Sequence, residues 1–186
     1  MVSRRGAIVL AAGASQRMGT PKALLPWNGS TLLDYAVEQA RAASVSDLVV
    51  VLGPATQLLT LEAVTVVNRE PETGRSASIR LGAHAMADEI EAVLIQSVDQ
   101  PVPAWVLLAL FGAKAEVAVP VFGGRRGHPV CLAGSLLPEL RELSETDQGL
   151  RAVVRRHAVT EVPVETEAVL WNLNDPEAYA AVAPGQ

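Results

Sequence analysis

Residues 7–22 read AIVLAAGASQRMGTPK, a short apolar run that passes into a loop of small residues. The run predicts a buried strand of an α/β protein, and the small side chains after it leave room for a ligand against the main chain. Gly13 and Gly19 add backbone freedom, and Arg17 and Lys22 add positive charge. A loop that combines two cations with peptide N–H groups predicts a site for a polyanion such as a nucleoside triphosphate.

The spacing of this loop excludes two common phosphate-binding motifs. A Walker A loop follows G-x-x-x-x-G-K-[ST], whereas five residues separate Gly13 from Gly19 and two more precede Lys22. The dinucleotide fingerprint G-x-G-x-x-G fails because Ser15 stands where its second glycine would be. The alternative interpretation is an ordinary strand-to-loop junction, which is also rich in small residues. The positions of Arg17 and Lys22 in the same loop favour the phosphate site over this alternative.

Composition narrows the class of protein. A chain of 186 residues, 49% hydrophobic and 4% aromatic, is typical of one domain, here 1–186, with a buried sheet between helices. The net charge of −5 argues against nonspecific nucleic-acid binding, so an anion site has to be local. Cys131 is the only cysteine, which excludes an internal disulfide and a cysteine metal site. No apolar run approaches the ~20 residues of a membrane span, and we expect a cytoplasmic protein.

Short apolar runs alternate with amphipathic stretches, which predicts a three-layer α/β/α, Rossmann-like fold with a mostly parallel central sheet. Ligands bind such sheets at the carboxyl ends of the strands, near the switch in strand order. We therefore expect the functional residues directly after strands. The predicted strands are 6–11, 47–52, 64–67, 92–98, 116–121, 129–132 and a pair at 159–164 and 168–172. The predicted helices are 31–43, 76–89, 103–113, 135–143, 147–156 and 176–182.

The loop pattern L-A-A-G-x-S-x-R-M-G-x-x-K resembles the signature of the nucleotidyltransferases related to molybdenum cofactor cytidylyl- and guanylyltransferases. The resemblance covers nearly the whole chain and implies the nucleotidyltransferase fold. The opening Leu-Ala-Ala-Gly is nearer to the cytidylyl branch, since guanylyl relatives more often have Leu-Ala-Gly-Gly. The nucleotide-binding residues implied here are Leu10, Ala11, Ala12, Gly13, Ser15, Arg17 and Lys22, with Arg17 and Lys22 also catalytic.

Asp99 directly follows the apolar run 92–98. A carboxylate at the end of a central buried strand is costly unless a cation compensates it, and Mg²⁺ prefers such oxygen ligands. The resemblance implies the same role, because the family carries its metal-binding and catalytic aspartate in D-x-P after this strand. An aspartate that merely begins the turn toward Pro103 is the alternative.

Residues 171–177 read WNLNDPE. The comparable segment of the cytidylyl branch often reads D-x-D-T-P-E-D, with its first aspartate on the metal. Here Asn172 and Asn174 replace both aspartates, as in the N-x-N-T-P form of guanylyl relatives, and the resemblance implies Asn172 as a second metal ligand. For Asn174 and Asp175 we expect a helix cap before Pro176 instead.

Three further segments match the family in order. Residues 75–82 fit R-x-x-S-[VI]-x-x-G, which implies that Arg75 and Ser78 hold the base; a plain N-cap at Ser76 is the alternative. Residues 123–130 resemble its R-G-H-P loop, and 147–151 its D-x-G-x-R segment. These imply an acceptor site, although a solvated hairpin and a helix cap at Asp147 explain them as well. The implied acceptor-binding residues are Arg126, His128 and Asp147.

Together, these segments predict a Mg²⁺-dependent nucleotidyltransferase that moves CMP from CTP to the phosphate of molybdopterin and releases pyrophosphate. The acceptor phosphate is anionic near pH 7, so no protein base is needed. A transient molybdoenzyme or maturation partner is implied, but no nucleic acid and no membrane. Three alternatives stay open: GTP as donor, another small phosphate as acceptor, and an NAD(P)H-dependent reductase or nucleotide sensor on the same fold.

Overall fold

The computed structural model describes residues 4–13, 18–59 and 61–183. Its strands are β1 (Arg5–Ala11), β2 (Pro26–Trp27), β3 (Ser30–Thr31), β4 (Asp47–Leu52), β5 (Val64–Val67), β6 (Ala92–Ser97), β7 (Val117–Phe122), β8 (Arg125–Arg126), β9 (Val130–Ala133) and β10 (Val159–Pro163). Its α-helices are α1 (Leu32–Ala42), α2 (Arg75–Ala85), α3 (Ala104–Gly112), α4 (Leu137–Arg141), α5 (Leu150–Arg156) and α6 (Pro176–Val182).

The central sheet has the strand order β10-β7-β9-β6-β1-β4-β5, with β8 paired to β7. Neighbours from β6 to β5 are parallel, as are β7 and β10, whereas β9 is antiparallel to both strands beside it. The chain leaves β1 toward β4 on one side and returns with β6 on the other. The switch in strand order therefore lies at β1, where a ligand crevice is expected.

Two apolar layers cover the opposite faces of the sheet. Ala7, Val9 and Ala11 of β1 pack in the layer that holds α1 and α3, while Ile8 and Leu10 pack in the layer of α2 and α4. This alternation follows from the two-residue period of a strand that is buried on both faces. The three-layer α/β/α architecture predicted from the sequence is thereby confirmed. Within the described ranges, no helix is both long and apolar enough to cross a bilayer.

The predicted strand at 168–172 is wrong. Residues Glu167–Leu170 form a 3-10 turn, which begins where the Thr166 hydroxyl accepts a hydrogen bond from the Ala168 N–H at 3.2 Å. The Val169 carbonyl accepts the His128 N–H at 2.8 Å instead of joining a strand ladder. Gly127 packs so closely on this turn that a Cβ there would overlap the Val169 carbonyl oxygen. The turn therefore fixes the loop that carries His128.

The helix bounds also differ from the prediction. Helix α2 ends four residues early, at Ala85, and α4 is a short helix that follows a 3-10 turn. Helix α5 begins at Leu150 because Gln148 and Gly149 have left-handed φ angles of 64° and 53°. Gly149 is thus the N-cap of α5, and the cap predicted for Asp147 is wrong. The hairpin β2–β3 was not predicted, because its strands have only two residues each, whereas β7–β8 is the hairpin that the alternative interpretation of residues 123–130 gives.

Gly134, directly after β9, packs against main-chain atoms. Its N–H donates to the Glu91 carbonyl oxygen at 2.7 Å, and a Cβ at this position would overlap the Ile90 carbonyl oxygen. Because main chain cannot move aside as a flexible side chain can, we expect Gly134→Ala to lower the free energy of unfolding by about 3 kcal/mol or more.

Urea denaturation measures this effect, with Gly112→Ala as the matched control. No atom lies within 4 Å of a Cβ built on Gly112, at the end of α3. The control should therefore change the free energy of unfolding by less than about 1 kcal/mol. Equal midpoints for the two variants would contradict the close packing at Gly134.

Candidate active site

A cleft of about 180 Å³ opens where β1 and β6 end, at the switch in strand order. The Val98 N–H donates to the Leu10 carbonyl oxygen at 3.1 Å, which holds the two strand ends side by side. Seven of the residues predicted from the sequence line the cleft: Leu10, Ala12, Gly13, Lys22, Arg75, Ser78 and Asp99. The remaining lining residues are Pro71, Gly74, Ser97 and Val98.

Three residues predicted for the nucleotide loop are not among this lining. Ala11 ends β1, and its side chain is buried in the apolar layer of α1 and α3. Ser15 and Arg17 lie outside the described residues. The phosphate-binding role predicted for these two therefore stays a prediction.

The Lys22 ammonium lies between two oxygens contributed by distant parts of the chain. Its Nζ is 2.8 Å from Asp99 Oδ2 and 2.5 Å from Asn174 Oδ1. The Lys22 and Asp99 side chains are only 15% and 18% exposed, so water screens their attraction less than at an open surface. The Leu173 N–H donates to the Asp99 carbonyl oxygen at 3.0 Å, which fastens the segment bearing Asn174 beside Asp99.

Asn174, rather than the predicted Asn172, is the asparagine that the structure brings to this pair. Among the hydrogen bonds of the described residues, none comes from the exposed Asn172 side chain. Asp175 caps α6, its Oδ1 accepting from the Ala178 N–H at 2.9 Å, which leaves the Asn174 amide for Lys22. The sequence indicates this arrangement, because the helix that begins at Pro176 needs only one N-cap residue. If Asp175 is that residue, the Asn174 side chain is available for another contact.

Helix α2 begins at the rim of the cleft, with Gly74 before it at a φ of 110°. The Ser78 hydroxyl is buried and accepts a hydrogen bond from the Asn68 side-chain amide at 2.9 Å. The alternative interpretation, in which Ser76 caps the helix, is wrong. Gly74 is the N-cap of α2, and no side chain of this segment makes a capping hydrogen bond. The Ser76 N–H donates instead to Glu145 Oε1, 2.5 Å away.

Arg75 is the second cation of the cleft. Desolvation by the surrounding protein lowers the pKa of its guanidinium, while the charges of Asp99 and Glu145 raise it and that of Arg151 lowers it. Arg75 therefore experiences one carboxylate from the end of β6 and one from the segment before α5. The cleft thus has Lys22 on one side of Asp99 and a further cation within electrostatic reach.

His128 shares two of these charged neighbours, Asp99 and Arg151, and has Arg75 itself as a third. Burial and the nearby Arg75 lower the pKa of its imidazole, Asp99 opposes this, and Arg151 lowers the pKa further. Burial and Arg75 therefore both favour the neutral imidazole. Its Nδ1 is buried and has no hydrogen-bond partner among the described residues. The structure thus groups His128 electrostatically with the cleft.

The other two residues predicted for the acceptor lie apart from the cleft lining. The Arg126 Nε donates to Glu161 Oε1 at 2.7 Å, and both side chains are about half exposed. Asp147 ends an exposed 3-10 turn, Glu145–Asp147, and its side chain makes no hydrogen bond with the described residues. The structure therefore does not bring these two together with Asp99.

The donor set at Asp99 fits a hard divalent cation. It offers the carboxylate of Asp99 and the amide oxygen of Asn174. Among the described residues, no three or more His, Cys, Asp or Glu side chains are grouped so that they could hold a metal ion. Zinc needs a fuller set of protein ligands, whereas Mg²⁺ takes one or two carboxylates and completes its shell with phosphates and water. These residues therefore fit a cation that arrives with a phosphate substrate.

A larger cavity of about 560 Å³ lies on the other side of segment 71–78. Residues 67–81 and 144–146 contribute its lining, which includes Arg80 and Glu145 but neither Lys22 nor Asp99. The larger cavity therefore does not contain the reacting groups. The smaller cleft contains Lys22 and Asp99, two residues that the sequence predicts for catalysis.

Comparison with known proteins agrees with this geometry. Residues 7–162 match the MobA-like NTP transferase domain. The nicotine blue oxidoreductase of Paenarthrobacter nicotinovorans is 30% identical over 165 residues, covering 80% of each chain. The molybdenum cofactor guanylyltransferase of Xanthomonas euvesicatoria pv. vesicatoria is 29% identical over 181 residues, covering 93% of this chain and 91% of that protein.

Among solved structures, Rv0371c of Mycobacterium tuberculosis H37Rv superposes with a TM-score of 0.84 at 27% identity, covering 97% of this chain and 98% of the Rv0371c chain. A structure of Rv0371c in complex with manganese has a TM-score of 0.80 at 25% identity, with the same coverage.

Proposed function

The chain belongs to the MobA-like NTP transferase family and is a nucleotidyltransferase, and we propose that it moves CMP from CTP to a phosphorylated small molecule, with release of pyrophosphate. Molybdopterin is the acceptor we favour. The observation that carries this proposal is the Lys22–Asp99 pair at the switch in strand order, with Arg75 and Ser78 lining the same cleft.

The reaction needs charge and position rather than a protein base. Lys22 and Arg75 offset the negative charge of the triphosphate, and the main chain around Gly13 gives it a surface to lie against. Asp99 and Asn174 would hold a magnesium ion, which supplies further neutralisation of phosphate charge when bound. The acceptor phosphate is already anionic, so it attacks once it is held in line with the leaving pyrophosphate.

The donor base divides the two branches of the family. Leu-Ala-Ala-Gly at 10–13 and the pair Arg75 and Ser78 favour CTP, whereas Asn172 and Asn174 favour GTP. The 2-C-methyl-D-erythritol 4-phosphate cytidylyltransferase of Rhodococcus opacus is 33% identical over 168 residues, covering 82% of this chain and 73% of that protein. Among cytidylyl and guanylyl donors we therefore rank CTP first.

A reductase is the second candidate function, because nicotine blue oxidoreductase is a relative of similar length. Such an enzyme would bind NAD(P)H, and its binding would not need a divalent cation. It would also have no evident use for a carboxylate beside a triphosphate loop. The two functions thus differ in ligand and in metal dependence.

Calorimetric titration of CTP, GTP and NADPH, with and without Mg²⁺, tests the proposal. We expect CTP to bind more tightly with Mg²⁺ and to bind at least about tenfold more tightly than GTP, since the base contacts decide the difference. A preference for GTP would move the protein to the guanylyl branch. Tight NADPH binding that is indifferent to Mg²⁺ would overturn the transfer mechanism.

A further inference from the structure

Glu145 reaches the start of α2 from a segment far along the chain. Its Oε1 accepts the Ser76 N–H at 2.5 Å, across a separation of 69 residues. The first N–H groups of a helix have no partner inside the helix, and α2 has no cap of its own. Glu145 therefore supplies from outside the cap that Gly74, the residue before α2, cannot give.

The fit between these two segments is close on both sides of the hydrogen bond. A Cβ at Gly74 would overlap the Glu145 carboxylate, and a Cβ at Gly149 would overlap the Ser76 hydroxyl. Both glycines have positive φ angles, 110° and 53°, which side chains disfavour. The segment before α5 is thus packed closely against the first turn of α2.

The turn that Glu145 holds carries the cleft residues Arg75 and Ser78. Arg75 experiences the charges of both Asp99 and Glu145. A divalent cation on Asp99 would offset the attraction of that carboxylate for Arg75, whereas the hydrogen bond from the Ser76 N–H to Glu145 would be unchanged. Glu145 is therefore placed to keep the first turn of α2 and its arginine in position when the cleft is loaded.

We propose that Glu145 is a positioning residue for nucleotide binding, which acts by capping α2 through the Ser76 N–H and so orienting Arg75 and Ser78. The inference rests on the proposed function, since it assigns the ligand of those two side chains as a nucleoside triphosphate. It adds a residue outside the cleft lining and outside the motifs recognised in the sequence. It also links the segment before α5 to the nucleotide side of the site.

Two variants separate capping from other roles. Glu145→Ala removes the acceptor for the Ser76 N–H, whereas Glu145→Gln keeps an amide oxygen there and loses only the charge. We expect Glu145→Ala to raise the Kd for Mg²⁺–CTP and the KM about tenfold, with kcat within about threefold of wild type. Glu145→Gln should restore the Kd to within about threefold of wild type. Glu142→Ala, an exposed glutamate of the same segment, should leave all values unchanged.

Hydrogen exchange at the Ser76 amide gives a readout that needs no ligand. We expect faster exchange in Glu145→Ala and near-normal exchange in Glu145→Gln. Faster exchange with an unchanged Kd and KM would overturn the inference and leave Glu145 as a helix cap only. The same would follow if Glu145→Ala lowered kcat but not affinity. A wild-type protein that binds and transfers no nucleotide would overturn the proposed function and the inference together.

Discussion

Asp99→Asn is expected to lower kcat/KM for nucleotidyl transfer by about 10³-fold at saturating Mg²⁺. Asp99 is the carboxylate at the end of β6 in the cleft, and its Oδ2 is 2.8 Å from Lys22 Nζ. An asparagine keeps the volume and one oxygen but removes the negative charge on which a divalent cation depends. Release of pyrophosphate from CTP measures the effect, and a titration of Mg²⁺ should show a much weaker apparent affinity.

Asp88→Asn is the matched control for this substitution. Asp88 pairs with Arg141 at 2.6 Å, but its side chain is 82% exposed and lies outside the cleft lining. The control should change kcat/KM by less than about twofold, since exposed ion pairs contribute little. If Asp99→Asn kept an NAD(P)H-dependent activity of the protein largely intact, the reductase function would gain support and the metal role of Asp99 would be lost.

The core strands were predictable because they are buried on both faces. Strands β1, β4 and β6 each contain an apolar run of four or five residues, and their positions in the chain match the prediction to within about one residue. The rule that ligands gather at the carboxyl ends of such strands then indicated one site for Gly13 and Asp99. The partner of Asp99 was not predictable in the same way. Lys22 is 77 residues away, and nothing in the local sequence specifies a hydrogen bond between them.

The wrong predictions come from places where tertiary contacts decide local structure. Residues 168–171, Ala-Val-Leu-Trp, have the apolar character of a strand, yet the Val169 carbonyl bonds to the main chain of His128 and the segment becomes a turn. The cap of α2 was missed for a similar reason, since Glu145 lies 69 residues from Ser76. Propensity and spacing describe neighbours along the chain and carry no information about such distant partners.

The two asparagines after the last turn have similar sequence surroundings but different contacts in the structure. The resemblance to the family implies Asn172 as a metal ligand, and helix capping accounts for Asn174 or Asp175. The cap at Asp175 satisfies α6, and the side chain of Asn174 points to Lys22 instead. Capping logic, applied to the helix beginning at Pro176, would have favoured the closer residue for the cap and freed Asn174 for the site.

Lys22→Met is expected to lower kcat by about 10²–10³-fold, because it removes a cation that offsets the charge of the leaving pyrophosphate. The same change takes the ammonium away from Asp99 Oδ2 and Asn174 Oδ1. Both oxygens then lose their internal cation, and the competition between Lys22 and a divalent metal disappears. The apparent affinity for Mg²⁺ should therefore rise while turnover falls. Loss of Asp99 should weaken both, so the two variants have opposite signatures in the metal titration.

Lys22→Arg and Lys114→Met complete the comparison. The guanidinium of arginine is planar and larger than the compact ammonium, so Lys22→Arg should restore only part of the turnover. Lys114 is exposed, follows α3 and does not line the cleft, so Lys114→Met should leave kcat and the metal affinity unchanged. Steady-state rates across a Mg²⁺ series measure all three variants. If Lys22→Met kept kcat within about twofold of wild type, its ion pair with Asp99 would be structural, and the charge for the leaving group would have to come from Arg75 or from another part of the loop.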